Sequence, residues 1–406
     1  MNNWRISLKS IPNPTYMIKL KSKLPLVGDT IFSEMSTLAH HLNAINLGQG
    51  FPDYQPDSDL LNAVCQAIQQ GPNQYAPMTG VPALRQAIRD KVIAHQGHPY
   101  DADTDITVTS GATEALTSSI LALVHAGDEV ILIDPSYDLY APVVTLAGGT
   151  SVRVAMNPPT QDKPRFSLDW NAIAHAVTSR TRLLILNFPH NPSGLTLREE
   201  DLDALEQIAA RHDFLIMSDE AYEHIVFDGN SHLSPTSRPA LAARCILVSS
   251  FAKTFHATAW KIGYCCAPGP ISQEIRKVHQ FAVYSVNTPI QAGIAAYLKQ
   301  TQAIQGLSAF YQRKRDRLVQ GLNASRLRPL HSEGTFFLLV DTSALGEGLE
   351  KELAIRLAQE AGVATIPVSA FYEDPASPRA NHQLLRLCFA KQDATLDTAI
   401  ERLVNV

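Results

Sequence analysis

Five short apolar segments recur along the first part of the chain, and each is followed by turn residues or by a helical pattern. They are ITVT at 106–109, VILI at 130–133, LLIL at 183–186, FLIM at 214–217 and ILVS at 246–249. Near-continuous apolar strands separated by helical stretches are typical of a parallel sheet that helices cover on both faces. We therefore predict an α/β fold with a mostly parallel sheet, whose ligand site lies beyond the carboxyl ends of the strands.

A different pattern follows this strand-rich region. From about residue 297, two amphipathic helical stretches alternate with two apolar strands, over 311–322, 336–340, 349–360 and 385–388. This mixture predicts a second, smaller α+β unit. We divide the chain into an N-terminal arm, an N-terminal part of the small domain, a large domain and a C-terminal small domain, over 1–26, 27–57, 58–296 and 297–406.

The first 28 residues are the least regular stretch. They carry five basic residues and no acidic one, and Pro12, Pro14 and Pro25 interrupt any helix. Without an apolar segment or a helical pattern, this stretch fits neither a secretion signal nor an amphipathic targeting helix. We expect a partly mobile arm outside the chemistry, with Met17 as an alternative start.

Composition narrows the class of protein. The chain has 406 residues, of which 45% are hydrophobic and 18% charged, so it contains enough apolar material for a sizeable core. A net charge of −5 and the lack of a long apolar run argue against a nucleic-acid or membrane partner. The five cysteines follow no disulfide or metal-ligand spacing. We expect a cytoplasmic enzyme without a metal.

Polar motifs follow four of the predicted strands. A small-residue turn, SGATEA at 110–115, leads directly into a helix, and free N–H groups at a helix N-terminus suit a phosphate. NFPHNPSG at 187–194, SDEAY at 218–222 and SSFAKTF at 249–255 follow three later strands. Each motif alone has a structural explanation, as a helix cap, a turn or a surface lysine. Together, at the carboxyl ends of parallel strands, they predict a single ligand crevice.

Two side chains in these motifs indicate the chemistry. Asp219 ends an apolar strand, and an ionised carboxylate is seldom buried without a partner. Lys253 stands among phenylalanine and alanine side chains, so it should be partly desolvated and shifted towards its neutral, nucleophilic form.

The set of motifs resembles the pyridoxal-phosphate-dependent class I aminotransferases of fold type I, which have the aspartate aminotransferase-like fold. The resemblance runs from about Ile45 to the C-terminus. NLGQGFPD at 46–53, NQYAPMTG at 73–80 and PHNPS at 189–193 are most similar to the methionine/kynurenine aminotransferase subgroup.

The resemblance implies roles for three catalytic residues. Lys253 would form the aldimine with pyridoxal 5'-phosphate and would then move the proton between Cα and C4′. Asp219 would face the pyridine nitrogen and keep it protonated, so that the ring can accept electrons. Tyr222 would hydrogen-bond the O3′ of the ring, together with Asn191.

The resemblance also implies the other contacts of the cofactor. Tyr137 would stack on the ring. The phosphate would be held by residues of the turn and of the lysine motif, and by one tyrosine from a second subunit: Gly111, Ala112, Thr113, Ser250, Lys261 and Tyr75. Many members have arginine in place of Lys261, and lysine keeps the charge without the planar fork.

For the substrate, the resemblance implies that Arg386 binds the α-carboxylate in bidentate fashion beside Gly48 and Asn191. Phe281 and Tyr284 of the neighbouring subunit would line the side-chain end of the pocket. Dicarboxylate-specific relatives have arginine at the position of Phe281, so an apolar residue there argues against aspartate as the preferred donor.

These features predict a homodimeric aminotransferase that moves the amino group of an uncharged, mainly apolar L-amino acid to a 2-oxo acid. Methionine and aromatic amino acids head the donor range, with glutamine at its edge. A carbon–sulfur β-lyase that acts on cysteine conjugates is the alternative on the same scaffold. A cofactor-sensing regulator is a minor alternative, since it would need a DNA-binding domain ahead of the body, and the short stretch before Asn46 lacks helix-turn-helix patterning.

Overall fold

The computed structural model describes residues 20–71, 73–160, 162–300, 303–346 and 348–406. Residues 1–19, which include most of the predicted arm and Met17, lie outside this part. In chain order the elements are α1 Ile31–Leu42, β1 Ile45–Asn46, α2 Ser58–Gln70, α3 Pro82–Gln96, β2 Ile106–Thr109, α4 Gly111–Leu123, β3 Glu129–Asp134, α5 Tyr140–Ala147, β4 Thr150–Ala155, α6 Trp170–Ala176, β5 Thr181–Asn187, α7 Glu199–Ala209, β6 Leu215–Asp219, α8 Pro239–Ala242, β7 Cys245–Ser250, α9 Phe251–Thr254, β8 Gly263–Cys266, α10 Gly269–Ala282, α11 Thr288–Tyr297, α12 Leu307–Leu322, β9 Arg328–Pro329, β10 Phe337–Asp341, α13 Glu350–Glu360, β11 Val363–Ala364, β12 Ile366–Pro367, β13 Leu384–Cys388 and α14 Asp393–Val404.

The larger sheet has seven strands in the order β2-β8-β7-β6-β5-β3-β4. All of them are parallel except β8, which runs antiparallel to both of its neighbours, β2 and β7. The five apolar segments of the sequence all lie in this sheet. The sequence did not predict β4 and β8, which lack an apolar run of that kind.

The apolar strands are buried on both faces. In β5, Leu183 and Ile185 pack with residues of α4 and α5, whereas Leu184 and Leu186 pack with residues of α6 and α7. Because successive side chains of a strand point to opposite faces, a strand that is covered on both sides needs an unbroken apolar run. The predicted fold class is confirmed.

A second core forms around a smaller antiparallel sheet, with the order β12-β13-β10-β9. Its apolar side chains come from α12, α13 and α14, and also from α1 and the residue after β1, through Met35, Ala39 and Leu47. Strand β1 also pairs with β11, so the segment around residues 31–47 packs with the C-terminal part of the chain.

The carboxyl ends of the central strands meet at one edge of the larger sheet. Asn187, the last residue of β5, lies opposite Asp219, the last residue of β6, and Asp219 lies opposite Val248 of β7. Helix α9 begins directly after β7 ends at Ser250, and Lys253 is its third residue. Within the described part of the chain, no helix combines the length and the apolar character that a bilayer span requires.

Candidate active site

A cavity of about 230 Å³ opens at this edge of the sheet. Its wall contains every residue that the sequence suggested for the cofactor except Tyr75: Gly111, Ala112, Thr113, Tyr137, Asn191, Asp219, Tyr222, Ser250, Lys253 and Lys261. The wall also contains residues that the sequence did not suggest: Leu116, Asn187, Ala221, Ala252 and Thr258.

Lys253 presents a primary amine to this cavity. Its Nζ donates a hydrogen bond to the carbonyl oxygen of Gly50 at 3.1 Å and lies 5.4 Å from the ring centre of Phe336. Burial, which disfavours the charged form, lowers the pKa of Lys253 to about 8. A larger share of the amine is therefore neutral and nucleophilic near neutral pH than in an exposed lysine.

Asp219 is a buried carboxylate with a neutral hydrogen-bond donor. The hydroxyl of Tyr140 donates to its Oδ2 at 2.7 Å, and the backbone N–H of Ala221 donates to its Oδ1 at 3.3 Å. Burial raises the pKa of Asp219 to about 6, although these two bonds oppose the shift. A cationic partner would therefore stabilise the ionised form of this carboxylate.

Tyr222 and Asn191 flank the same cavity. Tyr222 packs edge-on against Phe336, with ring centres 5.1 Å apart, and burial raises the pKa of its hydroxyl, which stays protonated at neutral pH. Asn191 is held by Asn187, whose Oδ1 accepts the Asn191 backbone N–H at 3.0 Å. The same Asn187 side chain donates to the backbone oxygen of Asp219 at 3.0 Å, so it ties the ends of β5 and β6 together.

An anion cradle forms where α4 begins. Gly111 has a φ of +74°, and the Nζ of Lys261 donates to Thr113 Oγ1 at 3.2 Å beside it. A Cβ on Gly263 would lie 2.6 Å from the carbonyl carbon of Gly111 and 2.7 Å from the nitrogen of Ala112. Only glycine therefore allows β8 to approach the helix N-terminus this closely, where free N–H groups favour an anion.

Arg386 lies beside the cavity on β13 and is 2% exposed. Its two terminal nitrogens donate to Asn191 Oδ1 and to the backbone oxygen of Gly48, both at 2.7 Å. Its guanidinium carbon lies 3.8 Å from the ring centre of Phe337, and its Nε has no partner among the described residues. Burial lowers the pKa of Arg386 to about 10, so the group stays charged at neutral pH.

The family profile of the class I and II aminotransferases matches residues 43–403. The chain belongs to this family. A methionine aminotransferase of Escherichia coli strain K12 is 51% identical over 384 residues, which are 94% of this chain and 97% of that protein. A probable N-succinyldiaminopimelate aminotransferase DapC of Mycobacterium tuberculosis is 42% identical over 389 residues, again 94% of this chain and 97% of that protein.

The fold of this aminotransferase is also found in solved structures. The crystal structure of Escherichia coli YbdL, for which a methionine aminotransferase function was identified, aligns with a TM-score of 0.92 at 51% identity. The alignment covers 96% of this chain and 100% of that one. The family that the sequence motifs predicted is thereby confirmed.

Three predicted site residues of this aminotransferase lie on its surface, away from the cavity wall. Tyr75, Phe281 and Tyr284 are 82%, 87% and 49% exposed, and the rings of Tyr75 and Tyr284 contact each other edge to face at 5.5 Å. Their predicted action in a neighbouring subunit stays a prediction. Among the described residues, no three His, Cys, Asp or Glu side chains come together as metal ligands.

Two contacts of the site could not be read from the sequence. Tyr140 begins α5 and reaches Asp219 across 79 positions of the chain. Asn187 belongs to a motif that the sequence did single out, but its contact with the end of β6 depends on strand register. Neither residue type, in its local context, signals such a role.

Proposed function

We propose that this aminotransferase uses pyridoxal 5'-phosphate to move the amino group of an uncharged, mainly apolar L-amino acid to a 2-oxo acid. The observation that carries the proposal is the amine of Lys253, which shares one cavity with the buried carboxylate of Asp219 and with the anion cradle of α4. The similarity to a methionine aminotransferase supports the choice of donor.

The residues of the cavity fit the cofactor. The first N–H groups of α4, with Lys261 and Thr113, suit its phosphate, and Asp219 suits a protonated ring nitrogen. Tyr137 would cover one face of the ring. When bound, the cofactor supplies an aldehyde for the substrate amine and a ring that takes up electron density from Cα.

Lys253 and Arg386 would then have separate roles in the reaction of the substrate. Lys253 would anchor the cofactor, and its amine would afterwards carry the proton to and from Cα, which its lowered pKa favours. Arg386 offers a buried planar fork with a free Nε, and a substrate carboxylate would supply the anionic partner that its present contacts lack.

A second copy of the chain would complete the site. The three exposed aromatic residues Tyr75, Phe281 and Tyr284 support a homodimer, since aromatic side chains are enriched at the cores of interfaces. In this arrangement Tyr75 would reach the partner's phosphate site, and Phe281 and Tyr284 would line the partner's side-chain pocket. A cytoplasmic location stays a prediction.

Discrimination between donors must arise at the side-chain end, because Arg386 binds the α-carboxylate of every donor. An aspartate side chain that meets Phe281 would lose its hydration without gaining a cation. A thioether or an aromatic ring would instead gain about 1.5–3 kcal/mol on full burial. We expect methionine and phenylalanine to exceed aspartate in kcat/KM by at least about tenfold, since that ratio requires only ~1.4 kcal/mol.

Steady-state kinetics with methionine, phenylalanine, glutamine and aspartate against one common 2-oxo acid test the proposal. Phe281→Arg is the matched variant, and it should raise kcat/KM for aspartate relative to methionine. Aspartate as the best donor of the unmodified enzyme would refute the pocket assignment. If an S-substituted cysteine releases its thiol faster than any donor is converted to its 2-oxo acid, the result would favour the β-lyase alternative.

A further inference from the structure

A buried polar layer lies behind the segment that carries Asp219 and Tyr222. Within this segment, Asp219 and Tyr222 line the cavity, whereas Glu220 and Glu223 contact the end of α3. Both glutamates are buried, at 0% and 4% exposure. Asp219 and Tyr222 are thus each followed directly by a carboxylate that contacts α3 instead of the cavity.

Gln96 joins the two carboxylates. It is the last residue of α3, and its Nε2 donates to Glu220 Oε2 at 2.9 Å and to Glu223 Oε2 at 3.1 Å. Its amide oxygen accepts from Thr236 Oγ1 at 3.1 Å, so both ends of the amide have partners. Ionised carboxylates only accept hydrogen bonds, and the two N–H groups of one amide can serve both of them.

Charged and polar neighbours complete the layer. The Lys91 ammonium lies 2.7 Å from Glu223 Oε1, and His232 Nε2 lies 2.6 Å from Glu220 Oε2. Burial by itself raises the pKa of Glu223, but Lys91, His224 and Ser249 together outweigh it and hold this pKa well below its usual range. The other groups that face the two glutamates are Ser218, Ser234, Ser249, Tyr264 and His224.

We propose that Gln96 is a positioning residue of the reaction, which holds Glu220 and Glu223 together and thereby fixes Asp219 and Tyr222 towards the cofactor; this rests on the proposed use of pyridoxal 5'-phosphate. Without the amide, one oxygen of each glutamate loses its shared donor, and two like charges face each other in a buried site. The segment that carries the two glutamates would then shift, or one of their carboxylates would take up a proton. Either response alters the field at Asp219, whose pKa is raised mainly by burial and further by Glu220.

The test compares Gln96→Met, which keeps the length of the side chain and removes the amide, with Gln86→Met on the exposed face of the same helix. Gln96→Asn is the milder variant, which keeps an amide that is too short to reach both glutamates. In each holoenzyme, the visible absorption band of the bound cofactor is titrated with pH in the absence of substrate. Cofactor affinity, the melting temperature, kcat and KM are measured alongside.

We expect both Gln96 variants to move the midpoint of the absorbance titration and to lower kcat by about tenfold or more, with a much smaller change in KM. Gln86→Met should change none of these values. A Gln96 variant with a lowered melting temperature but an unmoved midpoint and an unchanged kcat would show a merely structural role and overturn the inference. If the unmodified protein binds no pyridoxal 5'-phosphate, the proposed function itself fails, and that outcome is distinct.

Discussion

At the scale of single residues, the site holds two cations that lack full anionic compensation, the half-buried Lys253 and the buried Arg386. The pKa of Lys253 is lowered by burial, so a larger share of this amine is neutral than in an exposed lysine. Arg386 keeps its charge and is surrounded by amide oxygens and the faces of Phe32, Phe337 and Phe371. Such contacts only partly replace water around a guanidinium. Both groups therefore favour the entry of an anionic or carbonyl ligand.

Replacement of Lys253 by alanine should abolish turnover and leave the fold intact. Among the described residues, the side chain makes one hydrogen bond, to Gly50, so its loss removes little structural support. Lys253 is the one lysine of α9, so its loss removes the amine from this helix. Turnover with methionine and the visible spectrum of the bound cofactor measure the effect, and the exposed Lys299→Ala variant is the control. Turnover at the unmodified level in Lys253→Ala would contradict the assignment.

Asp219 should make the stability of the apoenzyme depend on pH. Its pKa rises from 3.8 to about 6 on folding, so between these values the unfolded chain releases a proton that the folded chain keeps. Stability is then lost as the pH rises through this window, by up to about 3 kcal/mol above pH 6. Asp219→Asn should remove the cost of burying the ionised carboxylate. The variant should therefore melt at a higher temperature than the unmodified apoenzyme at pH 8, and the difference should be much smaller near pH 4.

Thermal melts of both apoproteins at a series of pH values check this sign. Asp213→Asn, on the surface, is the matched control and should follow the unmodified protein at every pH. An advantage of Asp219→Asn that stays constant from pH 4 to pH 8 would show that the carboxylate does not titrate abnormally.

At the scale of elements, the sequence predicted best those strands and helices whose pattern depends on neighbouring residues. An unbroken apolar run marks a strand covered on both faces, as in β5. Helix α3 also has local markers at its ends, because it begins at Pro82 and is followed by Gly97, which adopts a φ of +78°. Strand β4 was missed because it lies at the edge of the sheet, where half-exposed polar residues interrupt the run.

The same distinction holds for the site. Asp219 and Lys253 could be recognised because each belongs to a motif that directly follows an apolar strand. The strand and the polar residue lie within a few positions of each other. Gln96 and Tyr140 could not be recognised, because their partners lie 124 and 79 positions away and are brought close only by strand order. Contacts of this kind depend on tertiary packing, which local sequence does not encode.

The junction between strand β8 and helix α4 should be sensitive to substitution of its glycine, Gly263. In Gly263→Ala, the new Cβ would clash with the backbone of Gly111 and Ala112, and backbone cannot move aside as a side chain can. We expect a loss of about 1–3 kcal/mol in unfolding free energy and a clear loss of affinity for pyridoxal 5'-phosphate. Denaturant melts and cofactor titration measure both effects. Gly348→Ala, which has open space around it, should change neither.

At the scale of the whole molecule, the site gathers three distant parts of the chain. Gly48 precedes the larger sheet, Asn191 follows β5, and Arg386 belongs to the smaller sheet, yet one guanidinium bonds to both of the others. Lys253 likewise bonds to Gly50. The smaller sheet thus contributes directly to the proposed substrate contact, and the proposed dimer would add a fourth part from the partner.

Mixed dimers test the proposed contribution of the partner subunit to the site. Lys253→Ala and Tyr75→Ala should each be impaired alone, because each lacks one component of every site. In a mixed dimer, one site combines the intact Lys253 of one chain with the intact Tyr75 of the other, so activity should return to about a quarter of the unmodified level after random pairing. Each variant re-paired with itself is the control. A fully active monomer by light scattering would rule out shared sites.

The position of β8 also has a consequence for biosynthesis. Strand β2 has β8 as its sole neighbour in the described sheet, and the paired residues Ile106 and Cys266 are 160 positions apart (266 − 106). At a translation rate of roughly 5–20 residues per second, β2 waits about 8–30 s on the ribosome for its partner. During this time Gly263 is not yet in place against α4, so the anion cradle is incomplete. A nascent chain should therefore bind the proposed cofactor only late in synthesis, after β8 has joined the sheet.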